Sequence, residues 1–185
     1  AHTGLTAILG ALVPLWHVPM MNDTLRNEAY LKALKAAITP ESRVLEIGTG
    51  SGLLSMMAAR LGAGSVTTCE AEPLIAAAAK RVIAANGLAG RIQAHAKVSN
   101  DLQIGADLAE PADILVSEVL SSELLGEHVL PSIEDAKRRL LKPGARLIPA
   151  AGSIMLALVG GEALGSNLVV EDSCDFDLRQ IGRAH

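Results

Sequence analysis

Aromatic side chains are nearly missing: the 185 residues hold one Trp, one Tyr and one Phe. A chain with so few rings has no platform on which bases can stack, which argues against a single-stranded nucleic acid ligand. A basic stripe is missing too. With a net charge of −4 and charges of both signs interspersed, no surface is set up to neutralise phosphates, so nucleic acid is not an expected partner. Cysteine is scarce. Cys69 and Cys174 lie far apart and in no metal-ligand spacing, which excludes a disulfide scaffold and points to a reducing, cytoplasmic compartment. No apolar run is long enough to cross a bilayer, so no membrane is expected. Residues Ala1 to Leu15 are apolar but carry no Lys or Arg, and they read as a short helix packing on the domain rather than as a leader.

Half of the residues are hydrophobic, enough for one domain whose core is built from Leu, Ile, Val, Ala and Met. The segment organising it runs from Val44 to Gly52, Val-Leu-Glu-Ile-Gly-Thr-Gly-Ser-Gly. It reads as a strand that stops in a loop whose backbone a ligand can touch.

Before it, apolar positions at Leu25, Ala29, Leu34 and Ile38 predict a helix over Asp23–Ile38, capped by Asp23 or Thr24 and broken at Thr39-Pro40. After it, strands over 66–70, 92–97, 113–119 and 145–148 alternate with helices over 53–61, 73–86 and 131–141. The turn Lys142-Pro143-Gly144 separates the last helix and strand. Alternating strands and helices make an α/β, Rossmann-like parallel sheet, with ligands at the carboxyl ends of its strands. Beyond Pro149 the pattern changes to short strands, over 153–159 and 167–171 with Gly160-Gly161 as a turn, the opening of an all-β element. Three segments follow: an N-terminal helical segment over 1–40 covering the ligand site, a ligand-binding domain over 41–150 and a partial β extension over 151–185.

The loop Gly48-Thr49-Gly50-Ser51-Gly52 is GxGxG, whereas the dinucleotide fingerprint needs GxGxxG and position 53 is Leu. That spacing disfavours a nicotinamide dinucleotide. Glu70 stands about twenty residues further on at a strand end, where a carboxylate can take both hydroxyls of a ribose. An adenosine ligand is implied. After the fourth strand, Ser117 to Glu127 carries Glu118, Glu123 and Glu127. If this loop folds back, Glu118 and Glu127 converge and can grip a guanidinium bidentately; if it does not, they are solvated loop carboxylates. Of the histidines, His95 falls in a strand, His128 in the loop and His17 ahead of the first long helix. None has a partner at metal spacing.

Met20 to Arg26, the glycine stretch with Leu53-Leu54, Cys69-Glu70, Ser117 to Glu127 and Leu141 to Pro149 closely resemble the protein arginine methyltransferases, particularly the branch that makes monomethylarginine. The resemblance implies a class I methyltransferase core and S-adenosylmethionine as cofactor. It places Arg26 on the methionine carboxylate, the Gly48 to Gly52 backbone under the methionine moiety, Glu70 on the ribose hydroxyls and Val98 and Ser99 at the adenine. Glu46, Thr49, Gly50, Leu53, Ala71 and Glu118 complete the cofactor set. Glu118 and Glu127 become the catalytic glutamates of the substrate loop, with Met20 beside the transferred methyl.

The acceptor is then an arginine of a protein or peptide, and a homodimer is compatible with the resemblance. A guanidinium with a pKa above about 12 is a poor nucleophile, so the carboxylates must orient it and draw off its charge, leaving one terminal nitrogen to attack the methyl group. The family's Thr-His-Trp loop has no counterpart here, since Trp16 is the single Trp, and residues 150–185 read as the start of the family's β-barrel. Three rival readings remain. They are a methyltransferase for another protein group, such as a ribosomal protein amine, or for a small molecule; a non-catalytic cofactor-binding module; and, more weakly, a nicotinamide-dependent oxidoreductase.

Overall fold

The computed structural model describes residues 17–120, 124, 126, 128–155, 157, 158, 160, 161, 172, 173, 176 and 177. The chain divides into two compact units, Ala1–Gly152 and Ser153–His185.

The first unit opens with a short helix, α1 (His17–Met21), and then α2 (Thr24–Ala37). Asp23 caps α2 by accepting from the Arg26 amide at 3.0 Å, the arrangement that satisfies one of the donors a helix start leaves open. From β1 (Arg43–Ile47) the chain alternates through α3 (Leu53–Arg60), β2 (Ser65–Cys69), α4 (Pro73–Ala85) and β3 (Ile92–His95). A 3-10 turn at Ser99–Asp101, β4 (Ala112–Ser117), α5 (Val129–Arg139) and β5 (Leu141–Ile148) complete it.

The strands form one parallel sheet in the order β3-β2-β1-β4-β5. Alternate residues of the central strands feed opposite faces, as a parallel sheet covered on both sides requires. Val44, Ile114 and Val116 join Leu34 of α2, Leu54 and Ala58 of α3 and Ile83 of α4, whereas Leu45, Ile47 and Leu115 join Leu102, Leu108 and Ala136 of α5. Leu45 and Leu115 are wholly or almost wholly buried, and a Leu so placed contributes about 1.5–3 kcal/mol through burial. The chain leaves β1 in one direction towards β2 and β3, and returns on its other side as β4 and β5. The point where the order reverses lies between β1 and β4, and open α/β sheets bind ligands in the crevice there.

Two expectations are corrected. β5 starts at Leu141 rather than Ala145, so the Lys142-Pro143-Gly144 turn sits inside the strand as an irregularity in its register with β4. An edge strand tolerates this, because a proline there withholds no hydrogen bond from a further neighbour. Among the described residues of 153–159 there is no strand, and alternation alone builds none without a partner to pair with. The chain is helical from His17 to Met21. The expected N-terminal helix over 1–15 and the strand over 167–171 lie outside the described residues. In the second unit, Asp172–Ser173 pairs antiparallel with Phe176–Asp177.

Candidate active site

Register brings the site together. Ile47 pairs with Cys69 on one side and Ser117 on the other, so β1, β2 and β4 stop at the same level and the next residues, Gly48, Glu70 and Glu118, emerge side by side. They line a cleft of about 240 Å³ together with Met20, Arg26, Glu46, Thr49, Gly50 and Leu53.

The glycine loop turns back at once, because the amides of Gly48 and Thr49 both donate to the Cys69 carbonyl at 3.0 Å. Gly48 adopts φ +85°, and a Cβ there would lie 2.5 Å from Val119 Cγ1. Only glycine fits a backbone both left-handed and in such close contact. The Gly50 amide donates to Glu70 Oε2 at 3.0 Å and the Glu72 amide to Oε1 at 3.1 Å, so both oxygens are oriented by backbone at the rim of the cleft.

On the other wall, α2 supplies Arg26. Its Nη1 donates to the Met20 carbonyl at 2.8 Å, while Nη2 pairs with Glu118 Oε2 at 2.9 Å. Asn27 Nδ2 likewise donates to the Met21 carbonyl at 2.8 Å, so the first turn of α2 fastens carbonyls at the end of α1 that the helix itself leaves open. Arg26 is therefore not paired with Glu28, the neighbour its own helix offers. Tyr30, one turn along, lies with its ring 5.9 Å from the Arg26 guanidinium carbon, and its hydroxyl donates to the Ser117 carbonyl at 3.0 Å. One side chain thus braces both the cation and the residue preceding Glu118. Burial, and secondarily the Glu118 charge, pushes the Tyr30 hydroxyl up to about 12, so it remains a donor.

Beneath the loop, Glu46 is buried. It shares a register position and a face with Thr68, which donates to its Oε2 at 2.8 Å, and Ser55 of α3 donates to the same oxygen. Thr68 commits its single proton to Glu46, so in the 2.6 Å contact between Thr49 and Thr68 it is Thr49 that donates. The glycine loop is thereby tied to the sheet. Burial pushes the Glu46 carboxyl up to about 7, against the opposing hydrogen bonds from Ser55 and Thr68.

A carboxyl whose folded pKa is raised favours folding below its ordinary value of 4.5, and that contribution is lost as pH rises towards 7. Glu46→Gln removes the titration, whereas its altered hydrogen bonding is the same at every pH. The melting temperature of the variant relative to the parent is accordingly expected to be more favourable at about pH 8 than at about pH 5. A difference independent of pH in thermal melts would contradict this.

Gly52, Ala71, Val98 and Ser99 do not line the cleft. Gly52 caps α3, Ala71 follows Glu70 on the surface, and Val98 is exposed ahead of the buried Ser99 in the turn after β3. Glu123 and Glu127 lie outside the described residues, and with them the expected convergence of Glu118 and Glu127. His95 ends β3 with Nδ1 3.3 Å from Asp107, and His128 is exposed at the start of α5. Sequence reasoning missed the bracing roles of Tyr30, Ser55 and Thr68. Of these, Tyr30 alone carried a signal, its i+4 spacing from Arg26 on one helical face.

A parallel sheet of this order, with a glycine loop after its central strand and an acid after the next, defines a Rossmann-like α/β domain built to hold a ribose-bearing ligand. Residues 27–154 match the family model described as ribosomal protein L11 methyltransferase (PrmA). The chain is 46% identical over 166 residues to an arginine N(omega)-methyltransferase of Streptomyces achromogenes subsp. streptozoticus, covering 90% of itself and 46% of that protein. Against protein arginine N-methyltransferase 7 of Oryza sativa subsp. indica it is 46% identical over 142 residues, 72% of this chain and 20% of that one.

Among solved structures it superposes with a TM-score of 0.66 and 26% identity on the Trypanosoma brucei PRMT1 enzyme–prozyme heterotetramer with AdoHcy, covering 75% of this chain and 43% of that one. With Arabidopsis thaliana protein arginine methyltransferase 10 the TM-score is 0.63 at 31% identity, covering 72% and 38%. The chain belongs to the methyltransferase family of that model, and over the matched segments it is similar to arginine methyltransferases. It spans about half the length, or less, of the curated relatives it matches.

Proposed function

We propose that the chain binds S-adenosylmethionine in this cleft and transfers its methyl group to a terminal nitrogen of an arginine guanidinium. The observation that carries the reading is the adjacency of Gly48, Glu70 and the Arg26–Glu118 pair at the switch point of the sheet. The residues present fit the cofactor. The Gly48 cradle admits no side chain, Glu70 offers oriented oxygens for a ribose diol, and Arg26 lines the cleft with a buried Nε that has no partner. Arg26 would take the carboxylate and the loop amides would face the methionine backbone. Ala71, Val98 and Ser99, at the ends of β2 and β3, would border the adenine beyond the cleft.

When bound, S-adenosylmethionine supplies an electrophilic methyl group. The chain's own work is positioning and electrostatics. Glu118, held at the end of β4 through Tyr30 and Arg26, presents a carboxylate to a cationic acceptor. Drawing the guanidinium charge towards one of its nitrogens leaves lone-pair density on another. That nitrogen would form the bond to the methyl carbon as the methyl–sulfur bond breaks, releasing S-adenosylhomocysteine, and the methylated nitrogen would give up one proton to solvent. In this proposal Glu127 is the second carboxylate and Met20 packs beside the acceptor.

The family model's name and the relatives' names differ on the acceptor, a ribosomal protein in one and arginine in the others. Similarity at 46% identity over 166 residues and the anionic side chain at the cleft favour arginine. A peptide arginine is the proposed acceptor, and free arginine is a second reading favoured by the name of the Streptomyces relative.

A homodimer is also proposed, using the exposed apolar side chains Val18, Leu25 and Leu31 of α1 and α2; light scattering that returns a monomer at assay concentrations removes it. A cytoplasmic setting is proposed from the free, buried Cys69, and cell fractionation checks it. For the cofactor, titration calorimetry is expected to show S-adenosylmethionine binding that weakens about 10–100-fold in Glu70→Ala, the loss of two charge-assisted hydrogen bonds. Equal affinity of the folded variant would remove Glu70 from the ribose.

A further inference from the structure

Arg139 is the last residue of α5, the helix packed on the sheet face opposite α2, α3 and α4. Its guanidinium grips Asp135 one turn back through both oxygens, Nε donating to Oδ1 at 2.8 Å. The remaining donors leave the helix. Nη1 reaches the Leu102 carbonyl at 2.9 Å, and Nη2 reaches those of Asn100 at 3.1 Å and Ser99 at 3.3 Å. One side chain thus holds two carbonyls of the 3-10 turn that follows β3 and that of Leu102, which caps it. The planar fork is what permits this, since a lysine ammonium is a point donor that cannot span a carboxylate and a row of carbonyls.

The strand order says why that turn matters. A ligand with its carboxylate at Arg26 and a ribose at Glu70 already extends from the end of β1 to the end of β2, and the next strand in the sheet is β3. Anything beyond the ribose arrives at residues 96–99. There Val98 is 45% exposed while Ser99 next to it is buried, so an apolar side chain is open to a ligand on a turn that is fixed through its backbone. Asp107 fixes the same segment locally, accepting from Lys97 at 2.7 Å and from the Gln103 amide at 3.0 Å.

We infer that Arg139 is a positioning residue for the cofactor's base, setting the turn that carries Val98 and Ser99 from across the sheet without touching the cofactor. The inference rests on the cofactor reading above. Because Asp107 keeps its own contacts, loss of Arg139 loosens the turn rather than unfolding the domain.

The test compares the parent protein with Arg139→Met and Arg139→Lys, by calorimetric titration of S-adenosylhomocysteine and by methyl-transfer kinetics. For Arg139→Met, Kd and the cofactor KM are expected to rise about tenfold, with kcat at saturating cofactor within about twofold of the parent. Inhibition by adenosine, which carries the base but not the amino acid, weakens by the same factor. Arg139→Lys keeps the charge without the fork and recovers only part of the loss; it carries the comparison if the Met variant does not fold. A purely structural role would lower kcat and thermal stability and leave KM unchanged, and that result overturns the inference, as does equal cofactor affinity in all three proteins. If the parent itself binds no S-adenosylhomocysteine, the cofactor reading falls and the inference with it.

Discussion

Glu118→Gln is expected to lower methyl transfer by about 10²–10³-fold at saturating cofactor, the cost typical of removing one preorganised electrostatic group. The isosteric amide keeps the size and can still meet Arg26 Nη2, now 2.9 Å from Oε2, but it carries no charge to draw the guanidinium's own. The loss should therefore fall mainly on kcat. Glu118 follows the last residue of β4 and belongs to neither core cluster, so circular dichroism should match the parent. Steady-state kinetics within about twofold of the parent would show that no guanidinium is polarised here.

Gly48→Ala is expected to have the larger effect on the fold and the cofactor together. Its backbone sits at φ +85°, and the new Cβ would lie 2.5 Å from Val119 Cγ1. The left-handed conformation alone costs a non-glycine residue about 1–2 kcal/mol, and relieving the clash must displace either the loop or Val119, both of which line the cleft. Cofactor affinity should fall about tenfold or more, since a displacement on the order of 1 Å misplaces the groups beneath the ligand. The melting temperature should drop as well. Gly50→Ala makes a useful contrast, because a Cβ there meets nothing within 4 Å; it should retain more stability than Gly48→Ala. Equal behaviour of the two variants would mean that contact with Val119 does not shape the loop.

Much of this was legible in the sequence, and the part that was not has a physical character. β1, Arg43–Ile47, forms where the Val44 to Gly52 segment reads as a strand ending in a loop, because its buried run is bounded by a proline turn and by glycines. α2 and α4 carry their caps in their own residues, Asp23 and the Glu72-Pro73 pair. Such signals are local. The partners that build the site are not. Arg26 meets Glu118 and Tyr30 meets the Ser117 carbonyl only because α2 packs along the end of β4, and the Glu46 cluster needs β1, β2 and α3 in place. Spacing along the chain gives no hint of either.

Local reading also failed where an element depends on its neighbours. Pro143 and Gly144 spell a turn, yet they are absorbed into β5 because the strand lies at the sheet's edge. Alternation over 153–159 spells a strand, yet none forms among its described residues, since a strand exists only with another to pair with.

The most direct test of the account is to identify the methylated product. The protein is incubated with methyl-labelled S-adenosylmethionine and, separately, with an arginine-containing peptide, its lysine-substituted counterpart and free arginine, and the products are located by mass spectrometry. The account predicts a methyl group on a guanidinium nitrogen, present with the parent and reduced by Glu118→Gln. Labelled cofactor that binds yet leaves every guanidinium unmodified, or a methyl group found on the lysine amine instead, would contradict it.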